Sequence, residues 1–334
     1  MATHLLVGNP TAQSGKNQER IDRALALFRA RGVAVELLPT LPGGKTVGAV
    51  TRALDAGAMR VVIAMGGDGT FREVAAGLYA SKRREDVALG MLPTGTANDQ
   101  GKSFGLEASA DALERNVEVI VSGKETRLDA GLYTAGNAVT GTRTCFFDSA
   151  GWGLSARVLA QRNEDRKLVE KLGPLKELYR DQAVYAGAFL KTFLESYVID
   201  DKLTVHAVLD GKKVELDGLT DLIVKNTRVY AGAWILDDAA KHDDGVFEIV
   251  PFRGKRDWAS KAIIDLEGNP LTEKMLNELG VEHSKNHRAK TMDLTFVAPE
   301  GGAPLAAQID GEEWPADPHV RIEVAARAIR LIVP

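Results

Sequence analysis

A glycine-rich turn with one carboxylate gives the clearest chemical signal in this sequence. The turn Gly66-Gly67-Asp68-Gly69-Thr70 follows the apolar run 61–64 and precedes a segment from Phe71 with apolar residues at helical spacing. A strand, a glycine turn and a helix in this order direct backbone N–H groups at an anion, most often phosphate. Because Asp68 would repel a bare phosphate, the turn predicts a polyphosphate that carries a metal cation. The alternative is a plain turn whose glycines serve backbone geometry alone.

Strands and helices alternate in the N-terminal part of the chain, which predicts a parallel sheet with helices on both faces. The predicted strands cover 5–7, 33–38, 61–65 and 87–92. The predicted helices follow Lys16, cover 46–56 and begin at Phe71. Parallel strands end at one edge of their sheet, where open α/β sheets bind ligands. The segments expected at that edge are the loop 8–16, Thr40, the turn 66–70 and the loop 93–99.

Side chains in these segments suit phosphate, although each also has a simpler explanation. Lys16 could neutralise phosphate or lie exposed in its loop. Asn98 and Asp99 could cap the helix that follows. Hydroxyl groups that could bind phosphate or serve in turns come from Thr40, Thr94 and Thr96. The chain lacks the GxxxxGK[ST] motif of P-loop NTPases, and its first strand-to-helix turn lacks the GxGxxG fingerprint of NAD dehydrogenases.

From about Arg127 the pattern changes to short strands separated by turn residues, which predicts a mainly antiparallel sandwich or barrel. The predicted strands cover 128–133, 144–147, 203–209, 213–216, 222–224, 246–252, 294–297, 307–309, 320–324 and 329–333. Asp210-Gly211 between two of them predicts a hairpin. We place a domain boundary near residue 130, giving an α/β domain over 1–130 and a β-rich domain over 131–325.

A helical insertion is predicted within the β-rich part, over about 155–198. Its first part is rich in charges of both signs and is typical of a solvated helix face. Its second part carries many large apolar residues, among them Leu175, Phe189 and Phe193. These residues could pack on the sandwich or form an apolar wall for a lipid substrate at a bilayer interface.

Composition excludes several classes of function. The chain has 334 residues, 45% of them hydrophobic, and a net charge of −4, so nucleic acid is not an expected partner. The single cysteine, Cys145, excludes an internal disulfide and fits a reducing cytoplasm. The sequence shows neither a signal peptide nor an apolar run near the ~18 residues of a transmembrane helix. We therefore expect a cytoplasmic protein.

Taken together, these segments resemble the diacylglycerol kinase catalytic family, in particular the bacterial soluble lipid kinases. The motifs that carry the resemblance are Asn9-Pro10 with Gly15-Lys16, Gly66–Thr70 with Glu73-Val74, Pro93–Asp99, Asn226 with Gly232, Asp243-Asp244-Gly245 and Asp310-Gly311-Glu312. The resemblance implies an open parallel α/β nucleotide-binding domain followed by an antiparallel β-sandwich domain for the lipid. It also implies that the last strand, about 326–334, returns to the first domain.

The same resemblance implies an ATP- and Mg²⁺-dependent lipid kinase. Such an enzyme transfers the γ-phosphoryl group to a hydroxyl of diacylglycerol, phosphatidylglycerol or a related lipid alcohol. Glu312 matches the catalytic base, and Asp68 matches the carboxylate tied to the nucleotide's magnesium. The implied nucleotide-binding residues are Asn9, Lys16, Thr40, Gly66, Gly67, Asp68, Gly69, Thr70, Phe71, Arg72, Thr94, Gly95, Thr96 and Asn98. The implied ligands of a second, structural magnesium are Lys241, Asp244 and Val246, with the backbone carbonyl as the ligand at Lys241 and Val246.

The chain departs from the family's pattern just after the glycine turn 66–70 and after the loop 93–99. The family usually has Asn at the positions of Arg72 and Ala76, and a Phe-Ala-Arg-like run at 100–102. Two alternatives stay open: an NAD kinase-like enzyme, which shares the Gly-Gly-Asp-Gly turn, and a non-catalytic lipid- or nucleotide-binding protein. A lipid acceptor would imply transient contact with the inner membrane surface. The sequence is also compatible with a homodimer.

Overall fold

A computed structural model gives the fold of the protein. The residues that it describes are 3–11, 16–109, 111–136, 142–160, 202–232, 234–254, 257, 263–264, 284–297 and 304–334. Most of the predicted insertion 155–198, including its apolar segment, lies outside the described residues. Residues 154–160 of the described part are helical. In the described part of the chain, no helix is both long and apolar enough to span a bilayer.

The N-terminal part is an α/β unit with a parallel sheet in the order β2-β1-β3-β4. Its strands are β1 (His4–Gly8), β2 (Val35–Pro39), β3 (Val61–Gly66) and β4 (Ala88–Pro93). Its helices are α1 (Lys16–Ala30), α2 (Lys45–Ala56), α3 (Asp68–Ala80), α4 (Asp99–Ser103) and α5 (Ala112–Ser122). All four predicted strands are confirmed, with ends that differ by one or two residues.

Alternate residues of each strand enter two different cores, because successive side chains point to opposite faces of a sheet. Leu5 and Val7 pack with the apolar faces of α2 and α3. Leu6 packs with those of α1 and α5. The sheet is therefore covered on both sides, as the alternating pattern predicts, and its strand ends are free to carry a site at one edge.

The C-terminal part is built from antiparallel strands. They are β5 (Glu125–Ala135), β6 (Arg143–Phe146), β7 (Ser149–Gly153), β8 (Leu203–Leu209), β9 (Lys212–Leu219), β10 (Asp221–Lys225), β11 (Val229–Tyr230), β12 (Trp234–Ile235), β13 (Phe247–Phe252), β14 (Ile263–Ile264), β15 (His287–Ala289), β16 (Thr291–Val297), β17 (Ala307–Ile309), β18 (Glu312–Trp314) and β19 (His319–Ile332). The predicted hairpin at Asp210-Gly211 is confirmed as β8–β9, and both turn residues have positive φ.

Two sheets of this part pack face to face around one core. One is the antiparallel half of the large sheet, in the order β19-β16-β8-β9. The other has the order β15-β13-β10-β7-β17-β18. Val205 and Leu294 from the first sheet share a buried cluster with Trp152, Leu222 and Ile249 from the second. The predicted sandwich is thus confirmed.

The last strand corrects one prediction. Segments 320–324 and 329–333, predicted as two strands, form the single strand β19 with an irregularity between Ala325 and Ile329. Arg327 in this bulge has φ +54°, and its N–H donates to Asp129 Oδ1 at 2.5 Å. The break in apolar alternation is therefore a β-bulge and not a strand end.

Strand β19 joins the two parts of the molecule into one ten-stranded sheet. It pairs antiparallel with β5 on both sides of the bulge, its N-terminal half also pairs antiparallel with β16, and its C-terminal end pairs parallel with β4. In the parallel pairing, Arg330 lies opposite Ala88 and Leu331 opposite Leu89. The domain boundary near residue 130 stays a prediction, and β5 runs through it.

Candidate active site

Two loops of the α/β unit meet at the predicted edge of the sheet. The Thr94 N–H donates to the Gly66 carbonyl at 2.8 Å, and the Thr40 N–H donates to the Gly8 carbonyl at 3.0 Å. A Cβ atom built on Gly67 would lie 3.2 Å from Gly95 Cα, and one on Gly95 would lie 3.1 Å from Gly67 N. These two glycines are needed because the backbones touch, not for unusual dihedral angles.

Helix α3 begins at Asp68, one turn earlier than the start predicted at Phe71. Gly67 is its N-cap, and no side chain caps the helix. The Phe71 N–H closes the first helical hydrogen bond, to the Gly67 carbonyl at 3.0 Å. The preceding N–H groups of the first turn have no intrahelical acceptor, so they are available to an anion. Phe71 itself packs against Phe104 in the core, with ring centroids 5.6 Å apart, and presents only its backbone to the turn.

Asp68 suits a cation that is bound together with an anion. Its Oδ1 accepts a hydrogen bond from the Gln100 N–H at 3.3 Å. Burial, and next the negative charge of Asp148, raise the pKa of Asp68 to about 6. A divalent cation would offset both effects, because it favours the ionised carboxylate. Asp68 is therefore placed to hold a cation, such as magnesium, together with an anion at the start of α3.

Magnesium at this place would depend on the nucleotide for most of its ligands. Among the described residues, no group of three or more His, Cys, Asp or Glu side chains is arranged to hold a metal ion. Magnesium bound with phosphates commonly takes only one or two protein carboxylates and keeps several waters. The absence of a larger protein cluster in the described part is compatible with that mode.

Glu312 lies at the N-terminus of α3, although it belongs to the β-rich part. It is the first residue of β18, directly after the turn Asp310-Gly311. A Cβ atom built on Gly69 would lie 2.8 Å from Glu312 Oε1. The carboxylate of Glu312 thus lies against the glycine turn that carries Asp68. We call this junction between the start of α3 and β18 the cleft.

Arg72 forms the direct contact across this cleft. Its Nη2 donates to Glu312 Oε2 at 2.6 Å, and the two side chains are 14% and 49% exposed. Its Cζ lies 5.7 Å from the centroid of the Trp314 ring. The guanidinium is therefore enclosed between the two parts of the molecule.

A buried cluster of polar side chains, formed by Asp99, Asp148 and Lys225, connects the loop after β4 with the β-rich part. Lys225, fully buried, donates to Asp148 Oδ1 at 2.5 Å. Asp99 Oδ1 accepts from the Gly232 N–H at 2.6 Å, which ties the loop after β4 to the β-rich part. Burial, and next the charge of Asp148, raise the pKa of Asp99 to about 8. The cluster therefore joins the two parts through groups that are out of water.

Asp310 anchors the turn that carries Glu312. Its Oδ1 accepts from the N–H groups of Asp148 at 2.8 Å and Ser149 at 3.0 Å. Its Oδ2 accepts from the Phe147 N–H at 3.0 Å. Both Asp310 and Gly311 have positive φ, as a tight hairpin turn requires. Asp310 thus holds the turn between β17 and β18 against residues 147–149, which fixes where β18 begins, at Glu312.

Other residues predicted to bind nucleotide lie at the same edge of the sheet, and their side chains differ in contacts and exposure. Asn9 Oδ1 accepts from the N–H and hydroxyl of Thr11, so it closes a local turn. The Asn98 side chain folds back on Gly95 through two hydrogen bonds and does not cap α4. Thr96 is exposed, and Lys16 is the first residue of α1, with a side chain outside the described part.

The loop predicted to hold a structural magnesium is satisfied by protein donors. Asp244 Oδ1 accepts from the Val246 N–H at 3.2 Å, and its Oδ2 pairs with Arg288 Nη2 at 2.5 Å. Arg288 also pairs with Glu248 at 3.0 Å. Both oxygens of Asp244 thus have protein partners in this arrangement. The set Lys241, Asp244 and Val246 stays a prediction.

Sequence reasoning missed the buried residues of the site. The sequence pattern marks Asp99 only as part of the loop 93–99 or as a helix cap, and it does not mark Asp148, Lys225 or Trp314. A lysine at the end of the apolar segment 222–224 was the one available signal, because a buried strand tolerates a charge only with a partner. That partner, Asp148, is distant in sequence and could not be identified from the pattern.

Comparisons with known proteins show similarity over the N-terminal part of the chain and in the fold. Residues 3–133 match the family model described as the diacylglycerol kinase catalytic domain. The Probable lipid kinase YegS-like of Enterobacter sp. (strain 638) is 32% identical over 160 residues, which cover 48% of this chain and 49% of that protein. The Probable lipid kinase YegS of Salmonella typhimurium is 31% identical over 166 residues, 50% of this chain and 51% of that protein.

The matched part spans about half the length of these curated relatives. Similarity in fold extends further. A crystal structure described as a diacylglycerol kinase from Bacillus anthracis str. Sterne superposes with a TM-score of 0.68 and 21% identity. That similarity covers 99% of this chain and 97% of that chain. At this identity it establishes the α/β-plus-sandwich fold alone.

Proposed function

We propose that this chain, whose residues 3–133 match the family model described as the diacylglycerol kinase catalytic domain, is an ATP- and Mg²⁺-dependent lipid kinase. Its acceptor is a hydroxyl of diacylglycerol, phosphatidylglycerol or a related lipid alcohol. The observation that carries the proposal is the position of Glu312 over the first turn of α3, 2.8 Å from a Cβ built on Gly69. A base there faces the place where the glycine turn would hold a terminal phosphate.

The backbone of the glycine turn would bind and orient the phosphates. Free N–H groups at the start of α3 and the positive end of its dipole favour phosphate oxygens. Gly67 and Gly95 let the two loops approach each other closely, and Thr40 and Thr94 line the same edge. Magnesium, held by Asp68 and the phosphates, would neutralise charge on the transferred group.

Glu312 would accept the proton of the attacking hydroxyl. In the transfer, the lipid oxygen bonds to the γ-phosphorus while the bond to the β,γ-bridging oxygen breaks. ADP leaves with that electron pair, and the hydroxyl proton passes to the Glu312 carboxylate. An alcohol is a weak acid, so a carboxylate within hydrogen-bond reach assists as the attack proceeds.

Two adjacent glutamates allow a matched test. Glu312→Gln keeps the shape of the side chain but removes the base, so we expect loss of phosphate transfer with ATP binding retained. Glu313→Gln, on the exposed neighbour in β18, should leave transfer unchanged. The assay is incubation with labelled ATP, Mg²⁺ and a total lipid extract, followed by identification of the labelled lipid. Unchanged turnover in Glu312→Gln would overturn the assigned base.

The same assay separates the alternatives. Labelled NADP formed when NAD is the only acceptor would favour an NAD kinase-like enzyme. No transfer to any lipid, with ATP still bound, would favour a non-catalytic binding protein. Contact with a membrane surface stays part of the proposal, because the lipid acceptor has to be reached there.

A further inference from the structure

The Arg72 side chain lies at the candidate site but has no role in the reaction steps proposed above. It lies on the first turn of α3, and its side chain crosses the cleft to β18. There it contacts two residues of one strand face, because Glu312 and Trp314 are two positions apart. Nη2 donates to Glu312 at 2.6 Å, and the guanidinium lies over the Trp314 ring at 5.7 Å.

The guanidinium also has a donor without an acceptor. Among the described residues, Arg72 Nε is buried and makes no hydrogen bond. A buried N–H group without a partner costs free energy, so such groups normally have one. An anionic oxygen at the mouth of the glycine turn would satisfy it. Arginine is suited to this, since its planar group can donate to two acceptors at once.

We propose, on the premise of the lipid kinase function above, that Arg72 positions Glu312 through Nη2 and binds the transferred phosphoryl group through Nε. Glu312 and the γ-phosphoryl group are both negative and would repel each other at close range. A cation that contacts both lowers this repulsion and fixes their separation. The Trp314 ring restricts the guanidinium to that place.

The test compares Arg72→Ala and Arg72→Lys with Arg84→Ala. Arg84 also lies over an aromatic ring, Tyr79 at 5.1 Å, but follows the other end of α3. For Arg72→Ala we expect kcat to fall by about 100-fold, the scale seen when a donor to the transition state is removed. Lysine keeps the charge but not the two-acceptor geometry, so it should recover only part of the loss. Arg84→Ala should match the wild type.

Nucleotide affinity distinguishes this role from a structural one. ATP has the phosphoryl group that Arg72 would contact, and ADP lacks it. Calorimetry should therefore show ATP binding weakened by about tenfold in Arg72→Ala, with ADP binding within about twofold of wild type. Arg72→Gln, which keeps most of the packing volume, repeats the comparison if the alanine variant does not fold.

Each outcome decides between the two proposals. If kcat stays within threefold of wild type, or ATP and ADP affinities fall equally, Arg72 has no such role while the kinase function stands. If the wild type phosphorylates no lipid under conditions where it binds ATP, the proposed function fails and the role of Arg72 fails with it.

Discussion

Two carboxylates of the candidate site have opposite surroundings, and this separates their roles. Asp68 begins a helix and is mostly buried, beside the charge of Asp148. Glu312 is half exposed, paired with Arg72 and open toward the cleft. A carboxylate crowded by negative charge is suited to a cation, whereas one that faces the cleft is suited to a substrate proton.

Removal of the Asp68 carboxylate should weaken magnesium-dependent nucleotide binding. In Asp68→Ala we expect ATP affinity in the presence of Mg²⁺ to fall by roughly 10–100-fold, the scale reported for residues that support a metal site. In EDTA, ATP affinity should change little. Titration calorimetry with and without Mg²⁺ measures both. Asp86→Ala, an exposed aspartate beyond the other end of α3, is the control, and an unchanged Mg²⁺ effect in Asp68→Ala would contradict the assignment.

At the scale of elements, the site depends on how closely two loops approach. The turn after β3 and the loop after β4 touch through Gly67 and Gly95. The Thr94 N–H also donates to the Gly66 carbonyl at 2.8 Å. A side chain added at Gly67 or Gly95 would push the two loops apart, and the start of α3 would shift as a result.

Gly95→Ala should therefore weaken nucleotide binding as well as stability. The added methyl group would lie within about 3.1 Å of Gly67 N, and overpacking of this kind costs about 1–3 kcal/mol. We expect a lower thermal midpoint and weaker ATP binding. Gly254→Ala is the control, since a Cβ there meets nothing within 4 Å. ATP affinity equal to wild type in Gly95→Ala would show that the loop contact does not shape the site.

At the scale of the whole molecule, buried carboxylates tie the α/β part to the sandwich. Asp99 reaches the Gly232 N–H, and Asp129 accepts from the N–H groups of Gly245 and Arg327. Burial is the largest cause that raises the pKa of Asp99 to about 8 and that of Asp310 to about 7. These groups bind protons more tightly in the folded protein than in the unfolded chain.

Stability should consequently fall as pH rises through the neutral range. Between the ordinary aspartate pKa of about 3.9 and the raised value of Asp99, the folded state holds a proton that the unfolded state lacks. The free energy of unfolding then falls with rising pH across this interval. The stabilising effect is complete below the unfolded pKa and is lost as pH rises through about 8.

Asp99→Asn tests this linkage. The amide oxygen can still accept from the Gly232 N–H, but the group no longer titrates. Denaturant unfolding from pH 5 to 9 should give a flatter dependence for the variant, while part of the slope stays because Asp310 is unchanged. Parallel curves for the two proteins would show that Asp99 does not set the pH dependence.

Much of the architecture was predictable because it follows from short-range patterns. Apolar runs before glycine turns gave the parallel strands and the edge where their loops meet. Turn residues such as Asp210-Gly211 gave the hairpin. The long strand β19 was split in the prediction, because a β-bulge interrupts the apolar alternation just as a turn does.

The sequence by itself determined the parallel sheet, the glycine turn with the carboxylate of Asp68, and the β-rich second part. Each of these rests on residues close together in the chain, where spacing and side-chain type fix local geometry. Only the tertiary structure decided that Arg72 and Glu312, 240 residues apart, form an ion pair across the cleft. It also decided that Lys225 and Asp148 lie buried beneath the site. Such contacts depend on how the tertiary fold places β18 and β10 against the α/β unit. No short-range sequence pattern specifies that placement.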